Sequence, residues 1–201
     1  MPKLITTRTR IADLGKPRVI VIGGGFGGLE VIKGLEDLKV QVVLFDKHNH
    51  HTFQPLLYQV ATSGLETNSI VAPFRKLFGK HVDFYFRLGE VKRINAEENY
   101  IETSIGSVKY DYLVIATGAV TNFYGMAEVE KYSSSMKNIV DATKLRNKII
   151  RQLEYALLTE DAEIMNSLMD FVIVGGGPTG VELSGALTEL KKNVFPKDYK
   201  E

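Results

Sequence analysis

The chain has 201 residues, of which 44% are hydrophobic and 24% are charged, as is typical of a globular protein with a buried core. Its formal net charge of +1 does not favour nucleic acid as a partner, and the absence of cysteine excludes disulfides, thiolate nucleophiles and cysteine-ligated metals within these residues. No uninterrupted apolar run approaches the roughly 18 residues that a membrane span needs.

The chain begins with a short basic segment. Residues 1–18 hold five cations and one carboxylate, Asp13, and no apolar stretch of the length found in secretory signals follows them. We expect residues 1–16 to be a solvated basic tail, with a degenerate organellar transit segment and a contact with anionic lipid as the alternatives.

The first predicted strand, Val19–Ile22, runs directly into a glycine-rich turn and then a helical stripe of apolar residues. Glycines 23, 25 and 28 fit the pattern G-x-G-x-x-G, which permits a tight turn, close approach of a pyrophosphate and close helix packing. A second strand, Gln41–Phe45, ends at Asp46, where a carboxylate can accept hydrogen bonds from an adenosine ribose. The predicted dinucleotide site consists of Gly23, Gly24, Gly25, Phe26, Gly27, Gly28 and Asp46, with Lys47 either at the ribose or in solvent.

Short β-rich runs come next along the chain. We predict a strand over 82–86, an antiparallel meander over 90–94, 100–103 and 108–110, and a buried strand over 110–115. The last strand ends in Ala116, Thr117 and Gly118, small residues that let a ligand lie along the backbone at the carboxyl edge of a sheet. Apolar residues at helical spacing then predict a long helix, capped by Asp141, whose apolar side packs on neighbouring structure.

The glycine pattern recurs near the end of the chain, after the β-branched run Phe171–Val174. Residues 23–38 and 175–190 share seven identities in sixteen positions, so the repeat extends into the helix. The second predicted dinucleotide site consists of Gly175, Gly177, Pro178, Thr179 and Gly180. Two such sites in one chain indicate hydride transfer between two dinucleotides.

With both patterns and Asp46 in place, the chain resembles the two-dinucleotide flavoproteins, in which the first fingerprint holds FAD and the second holds NAD(P)H. The stretch Phe53–Thr62 is more specific, because it is similar to the type II NADH dehydrogenases. These are single-subunit, non-proton-pumping NADH:quinone oxidoreductases of respiratory membranes. The resemblance covers about residues 17–201 and only the amino-terminal half of such a family member.

The resemblance implies an α/β, Rossmann-like FAD/NAD(P)-binding fold with an antiparallel β-meander as a crossover, followed by the first strand and helix of a second Rossmann domain. We expect an FAD-binding domain over 17–125, a helical connection over 126–168 and the start of an NAD(H)-binding domain over 169–201. Because Asn193–Lys197 contains a proline and no β-branched run, Asp198 does not follow a predicted strand. We therefore expect the chain to be inactive alone.

The resemblance also implies roles for single residues. Val91 packs beside the adenine, Thr117 and Gly118 lie along FAD, and Gln54, Pro55 and Gln59 lie near the flavin ring. Of His48, His50 and His51, the last is expected to face the cofactor, and no metal site is expected. Glu182 is the predicted catalytic residue, near the contact of nicotinamide and flavin, where it binds NADH or relays a proton to quinone. A carboxylate that merely stabilises its helix is the alternative.

Function follows from the same resemblance. The absence of cysteine separates the chain from disulfide reductases and sulfide:quinone reductases, which leaves electron transfer from NADH through FAD to a quinone. A ferredoxin or rubredoxin reductase and a non-catalytic dinucleotide-binding module are the alternatives. We expect a peripheral protein on the cytoplasmic face of the bacterial inner membrane, attached through a region beyond Glu201, with homodimer formation left open.

Overall fold

The computed structural model describes residues 9–199, which divide into two compact units. The first unit contains residues up to 51 together with 72–119, and the second contains 52–71 together with the residues from 120 onward. The domain boundaries expected from the sequence are not tested by this grouping and stay a prediction.

The described residues contain nine strands and eight α-helices. The strands are β1 (Arg18–Ile22), β2 (Gln41–Asp46), β3 (His50–Thr52), β4 (Val71–Pro73), β5 (Phe84–Leu88), β6 (Val91–Asn95), β7 (Tyr100–Thr103), β8 (Gly106–Lys109) and β9 (Tyr112–Ile115). The helices are α1 (Phe26–Gly34), α2 (Leu57–Ala61), α3 (Phe74–Leu77), α4 (Ala127–Tyr132), α5 (Ile139–Leu158), α6 (Ala162–Met169), α7 (Pro178–Glu189) and α8 (Phe195–Asp198). A π-helical turn, Leu190–Val194, separates α7 from α8.

A parallel four-stranded sheet forms the centre of the first unit. Its strand order is β5-β2-β1-β9, with β1 and β2 in register from Arg18 opposite Gln41 to Ile22 opposite Phe45. The chain proceeds from β1 outward through β2 to β5 and later returns to the other side of β1 as β9. This reversal of strand order beside β1 creates the crevice at which open α/β sheets bind ligands, outside the carboxyl ends of the strands.

At the central strands β1 and β2, both faces of the sheet are covered by apolar side chains, because successive residues of a strand point to opposite faces. Val19 and Val21 of β1 pack on one face with Ile32 of α1 and with Phe74 at the start of α3. Ile20 and Ile22 pack on the other face, in a cluster that includes Ile101 of the β6-β7-β8 meander. The predicted Rossmann-like layering, with an antiparallel meander as the crossover, is therefore confirmed.

In the second unit, α5 packs on α2 through an apolar cluster that includes Leu57, Val60 and Ala142. The helix begins one turn earlier than its predicted cap. Asn138 is the N-cap and its side chain accepts from the Asp141 N–H at 2.9 Å, while the Asp141 carboxylate accepts from Asn138 Nδ2 at 3.0 Å. Asp141 is thus the third residue of the helix in a reciprocal capping arrangement, and its prediction as the cap is wrong.

Two further segments differ from the sequence-based expectation. Phe171–Val174 belongs to no strand, and Val172 and Val174 are 88% and 72% exposed, because no described strand lies beside it to complete a hydrogen-bond ladder. Residues 9–16 are held to the first unit rather than freely solvated, since Arg87 donates to the carbonyls of Thr9 and Arg10 and buried Gln41 donates to Ala12. Residues 1–8 of the expected tail lie outside the described chain.

Candidate functional site

The turn after β1 has a geometry that only glycine permits at two positions. Gly23 has a φ of +99°, and a Cβ atom there would lie 2.3 Å from the Ala116 carbonyl oxygen at the end of β9. A Cβ atom on Gly28 would lie 1.9 Å from the Gly23 carbonyl oxygen. The first glycine of the pattern therefore allows the turn to pass close to β9. The third glycine allows α1 to lie close to the turn.

The second glycine of the pattern faces open space. Gly25 is the N-cap of α1 with φ −72° and no side-chain cap, and a Cβ atom there would meet nothing within 4 Å. At Gly27 the nearest atom would be the Ala116 Cβ, 4.0 Å away. A helix that begins uncapped beside an open, side-chain-free surface offers backbone N–H groups and a positive dipole to an anion.

Asp46 is bound to this turn. Its Oδ2 accepts a hydrogen bond from the Gly24 N–H at 2.6 Å, and its Oδ1 accepts one from the His48 N–H at 2.7 Å. The carboxylate is therefore held at the end of β2 beside the glycine turn, and each oxygen keeps a lone pair for a further donor. Gly24 contributes its N–H to Asp46, which was not predicted from the sequence.

His51 lies against the turn as well. Its side chain is buried, its Nδ1 is 2.9 Å from the Gly24 carbonyl oxygen, and its ring meets the Phe26 ring edge-on with centroids 5.0 Å apart. Phe74 completes the surroundings of Gly24, where a Cβ atom would lie 2.1 Å from the Phe74 Cζ. Sequence reasoning missed Phe74, because an apolar residue in a short helix carries no signal of its own.

The remaining residues predicted near FAD in the first unit line the carboxyl edge or lie beside it. Thr117 and Gly118 follow β9 and are exposed, and Val91 starts β6 and packs against the cluster that contains Ile22. Lys47 forms an exposed ion pair with Glu90, Nζ to Oε1 2.8 Å, and this hydrogen bond lowers the pKa of Glu90. Lys47 is thus directed to Glu90 rather than to solvent alone.

Gln54, Pro55 and Gln59 lie in the second unit. Gln54 and Pro55 form an exposed one-turn 3-10 helix, Gln54–Leu56, and Gln54 Nε2 donates to the Lys137 carbonyl at 3.4 Å. Gln59 is half-buried in α2, where its Nε2 donates to the Tyr58 hydroxyl at 3.1 Å. Their predicted place beside a flavin ring stays a prediction.

The second glycine turn repeats the shape of the first. Gly175 has a φ of +111°, and a Cβ atom on Gly180 would lie 2.1 Å from the Gly175 carbonyl oxygen. Gly177 is the N-cap of α7, which continues with Pro178 and Thr179. Glu182 is exposed and is the fifth residue of α7, so it lies in the second turn of the helix.

Among residues 9–199, no group of three or more His, Cys, Asp or Glu side chains could hold a metal ion. His48 and His50 have ring centroids 5.8 Å apart, and the pKa of His50 is lowered by its partial burial and by His48. Open cavities of about 320 Å³ along α5 and about 230 Å³ at Asp13 and Lys109 include none of the predicted site residues.

The first glycine turn fits the pyrophosphate and ribose of FAD, because it combines an open N-terminal helix surface with a fixed carboxylate. A parallel sheet that carries such a turn where its strand order reverses defines a Rossmann-type dinucleotide-binding protein. The chain belongs to the family described as pyridine nucleotide-disulphide oxidoreductase, which it matches over residues 17–195. FAD is the typical cofactor of this family. The assignments of single residues to the cofactor stay predictions.

Several named proteins are similar to this chain. It is 37% identical over 182 residues to the type II NADH:quinone oxidoreductase Ndh of Mycobacterium tuberculosis, covering 89% of this chain and 39% of Ndh. It is 33% identical to the external alternative NAD(P)H-ubiquinone oxidoreductase B2 of Arabidopsis thaliana, covering 90% of this chain and 34% of that protein. The structure of NDH2 from Plasmodium falciparum matches with a TM-score of 0.82 at 30% identity, covering 92% of this chain and 39% of NDH2.

The chain therefore spans less than half the length of the relatives that it matches. Within residues 9–199, none of the helices is both long enough and apolar enough to cross a bilayer.

Proposed function

We propose that this chain is the dinucleotide-binding part of an FAD-dependent enzyme that passes electrons from NADH through the flavin to a quinone. The observation that carries the proposal is the open glycine turn with Asp46 bound to it. Support for the reaction comes from the 37% identity to a type II NADH:quinone oxidoreductase over 89% of this chain.

The first unit would hold the adenosine half of FAD. Gly25 is the N-cap of α1, and Phe26, Gly27 and Gly28 are its first residues. Their backbone would receive the pyrophosphate while Asp46 accepts from the ribose hydroxyls. Thr117 and Gly118 would lie along the cofactor at the end of β9. When bound, FAD supplies the chemistry of accepting a hydride and passing on two electrons.

The second glycine turn would bind NADH through Gly175, Gly177, Pro178, Thr179 and Gly180. Glu182, one turn into α7 and exposed, would act on NADH or on a proton that leaves for the quinone. Because Glu182 lies in the second helical turn, its carboxylate is farther from the bound phosphates than a first-turn acid would be. That position weakens the electrostatic repulsion that a first-turn acid would exert on them.

Quinone is favoured over a protein acceptor by the comparisons. NADH:rubredoxin oxidoreductase from Clostridium acetobutylicum matches at 16% identity with a TM-score of 0.66, a likeness that shows the fold alone. A disulfide acceptor finds no support in this chain, which contains no cysteine. Because quinones dissolve in membranes, we propose a peripheral enzyme of a respiratory chain on the cytoplasmic face of a bacterial inner membrane.

The test has two arms, the first of which measures cofactor binding. The purified chain is titrated with FAD and with ADP, and we expect saturable binding of both in the first unit. Absence of binding of either ligand at concentrations up to about 1 mM, where binding free energy falls to about −4 kcal/mol, would contradict the proposal.

The second arm measures the reaction. A chimera in which this chain replaces the matching 39% of the M. tuberculosis relative should be yellow and should reduce a soluble quinone with NADH. A yellow chimera that NADH reduces and a ferredoxin oxidises, but a quinone does not, would favour the ferredoxin-reductase alternative. A chimera that binds both dinucleotides without any electron transfer would favour the non-catalytic module.

A further inference from the structure

We propose that His51 is a positioning residue that orients the Gly25 N–H of the first glycine turn toward the bound pyrophosphate. The proposal rests on the proposed function, since it concerns how the first unit holds FAD. It assigns His51 a different role from the direct contact with the cofactor that the sequence led us to expect.

The hydrogen bond from His51 fixes the tautomer of its neutral ring. A carbonyl oxygen can only accept, so the Nδ1 atom that lies 2.9 Å from the Gly24 oxygen must carry a proton. The neutral ring therefore has the Nδ1–H tautomer, and the protonated ring keeps the same donor. His51 holds the Gly24 carbonyl in both states, and its 8% exposure leaves the ring little freedom to turn away.

The consequence for Gly25 follows from the planarity of the peptide bond. The Gly24 carbonyl and the Gly25 N–H belong to one trans peptide, in which they point in opposite directions. Because His51 holds the carbonyl on one side, the Gly25 N–H points to the other. In the described part of the chain this N–H donates to no acceptor, and a Cβ atom on Gly25 would meet nothing within 4 Å.

The preceding peptide is fixed in the same way. The Gly24 N–H donates to Asp46 at 2.6 Å, and the Phe74 ring lies so close to Gly24 that no side chain would fit there. Two consecutive peptide planes of the turn are thus each held by one side chain, Asp46 for the first and His51 for the second. Within residues 9–199, no side chain forms the matching hydrogen bonds to Gly176, the counterpart of Gly24 in the second turn.

The experiment measures ADP and FAD affinity by titration calorimetry on the purified chain. His51→Phe keeps an aromatic ring against Phe26 and removes the donor, so we expect about tenfold weaker ADP binding. His51→Asn places an amide donor near the position of Nδ1, and we expect its affinity to stay within about threefold of wild type. The matched control is His50→Phe, since His50 Nδ1 lies 2.9 Å from Asn49 Oδ1 and, within the described residues, makes no hydrogen bond to the glycine turn. We expect this variant to bind ADP as wild type does.

A second measurement separates positioning from a general loss of structure. Amide hydrogen exchange at Gly24, whose N–H is bonded to Asp46, should speed up in His51→Phe and return toward wild type in His51→Asn, while exchange in β1 stays slow. Equal ADP affinity in wild type and His51→Phe would overturn this inference alone. Failure of the wild-type chain to bind either probe would overturn the proposed function and this inference with it. A folded His51→Asn that loses as much affinity as His51→Phe would also contradict the inference.

Discussion

A Cβ atom on Gly28 would lie 1.9 Å from the carbonyl oxygen of Gly23, and the equivalent distance from Gly180 to Gly175 is 2.1 Å. The two glycine turns therefore share one close approach of helix to turn. The first turn follows β1, which pairs within the sheet, whereas Phe171–Val174 before the second turn belongs to no strand. The shape of such a turn is thus set by the local sequence and does not require the sheet.

Gly28→Ala should destabilise the first unit. The added methyl group would overlap backbone rather than a flexible side chain, so the turn must shift, and overpacking of this kind costs about 1–3 kcal/mol. Gly34→Ala is the control, because it ends the same helix and a Cβ atom there meets nothing within 4 Å. Urea unfolding followed by circular dichroism measures both. Equal free energies of unfolding for the two variants would show that the turn is not tightly packed.

Gly25→Val should abolish FAD binding with little loss of stability. The space beside Gly25 is open and its φ of −72° suits any residue, so valine fits the protein but occupies the place of the pyrophosphate. The matched control is Gly177→Val, the N-cap with φ −73° in the second turn, which should leave FAD affinity unchanged. Titration with FAD and a thermal melt test both variants, and stoichiometric FAD on folded Gly25→Val would contradict the site.

His50 should titrate below the usual pKa of histidine. Its partial burial and the neighbouring His48 lower the pKa of His50, while Asp46 opposes them. Because the folded pKa is the lower one, the unfolded chain binds this proton first as the pH falls, and the free energy of unfolding then decreases. His48→Ala should raise the pKa of His50, as followed by NMR of the imidazole protons.

The lowered pKa of His50 should also change how the free energy of unfolding depends on pH. Between about pH 7.5 and 5.5, the free energy of unfolding should fall less in His50→Gln than in wild type. An unchanged His50 titration in His48→Ala would show that His48 does not contribute to this pKa shift.

Much of the first unit could be predicted from local sequence, for a physical reason. Val19–Ile22, the three spaced glycines and Asp46 each impose a local geometry, and the structure places them together at the carboxyl edge of one sheet. The meander was predicted because its turns are marked by polar residues and glycine. Alternating apolar strands with clear turns determine their own pairing.

The roles of Phe74 and His51 could not be predicted, since both depend on which residues fold back onto Gly24. The cap of α5 was misplaced by one turn because Asn138 and Asp141 are both good capping residues. The sequence does not show at which of the two the first helical hydrogen bond begins. Phe171–Val174 has the composition of a buried strand, yet a strand forms only where a partner supplies its hydrogen bonds. Long-range contacts decided the cases of Phe74, His51 and Phe171–Val174, whereas the cap of α5 was a choice between two neighbouring residues.

The 201-residue chain should show no appreciable NADH:quinone turnover by itself. In NAD-binding domains, the acid that accepts hydrogen bonds from the ribose normally follows a second strand, about 20 residues after the last glycine. At that spacing from Gly180 the chain instead contains α8, Phe195–Asp198, so Asp198 ends a helix and not a strand. The described second unit therefore lacks a strand-borne acid for the NADH ribose, and hydride transfer needs the reacting atoms about 3–3.5 Å apart.

The measurement is NADH oxidation by the purified chain with excess FAD and a soluble quinone, beside the chimera as the positive control. FAD binding without turnover is the expected result, because the first glycine turn and Asp46 lie wholly within the first unit. Turnover near the typical enzyme rate of about 10 per second would show that this chain alone aligns both dinucleotides. In that case Phe171–Val174 would have to find a strand partner in solution, which hydrogen exchange at Val172 and Val174 would detect as slowed amides.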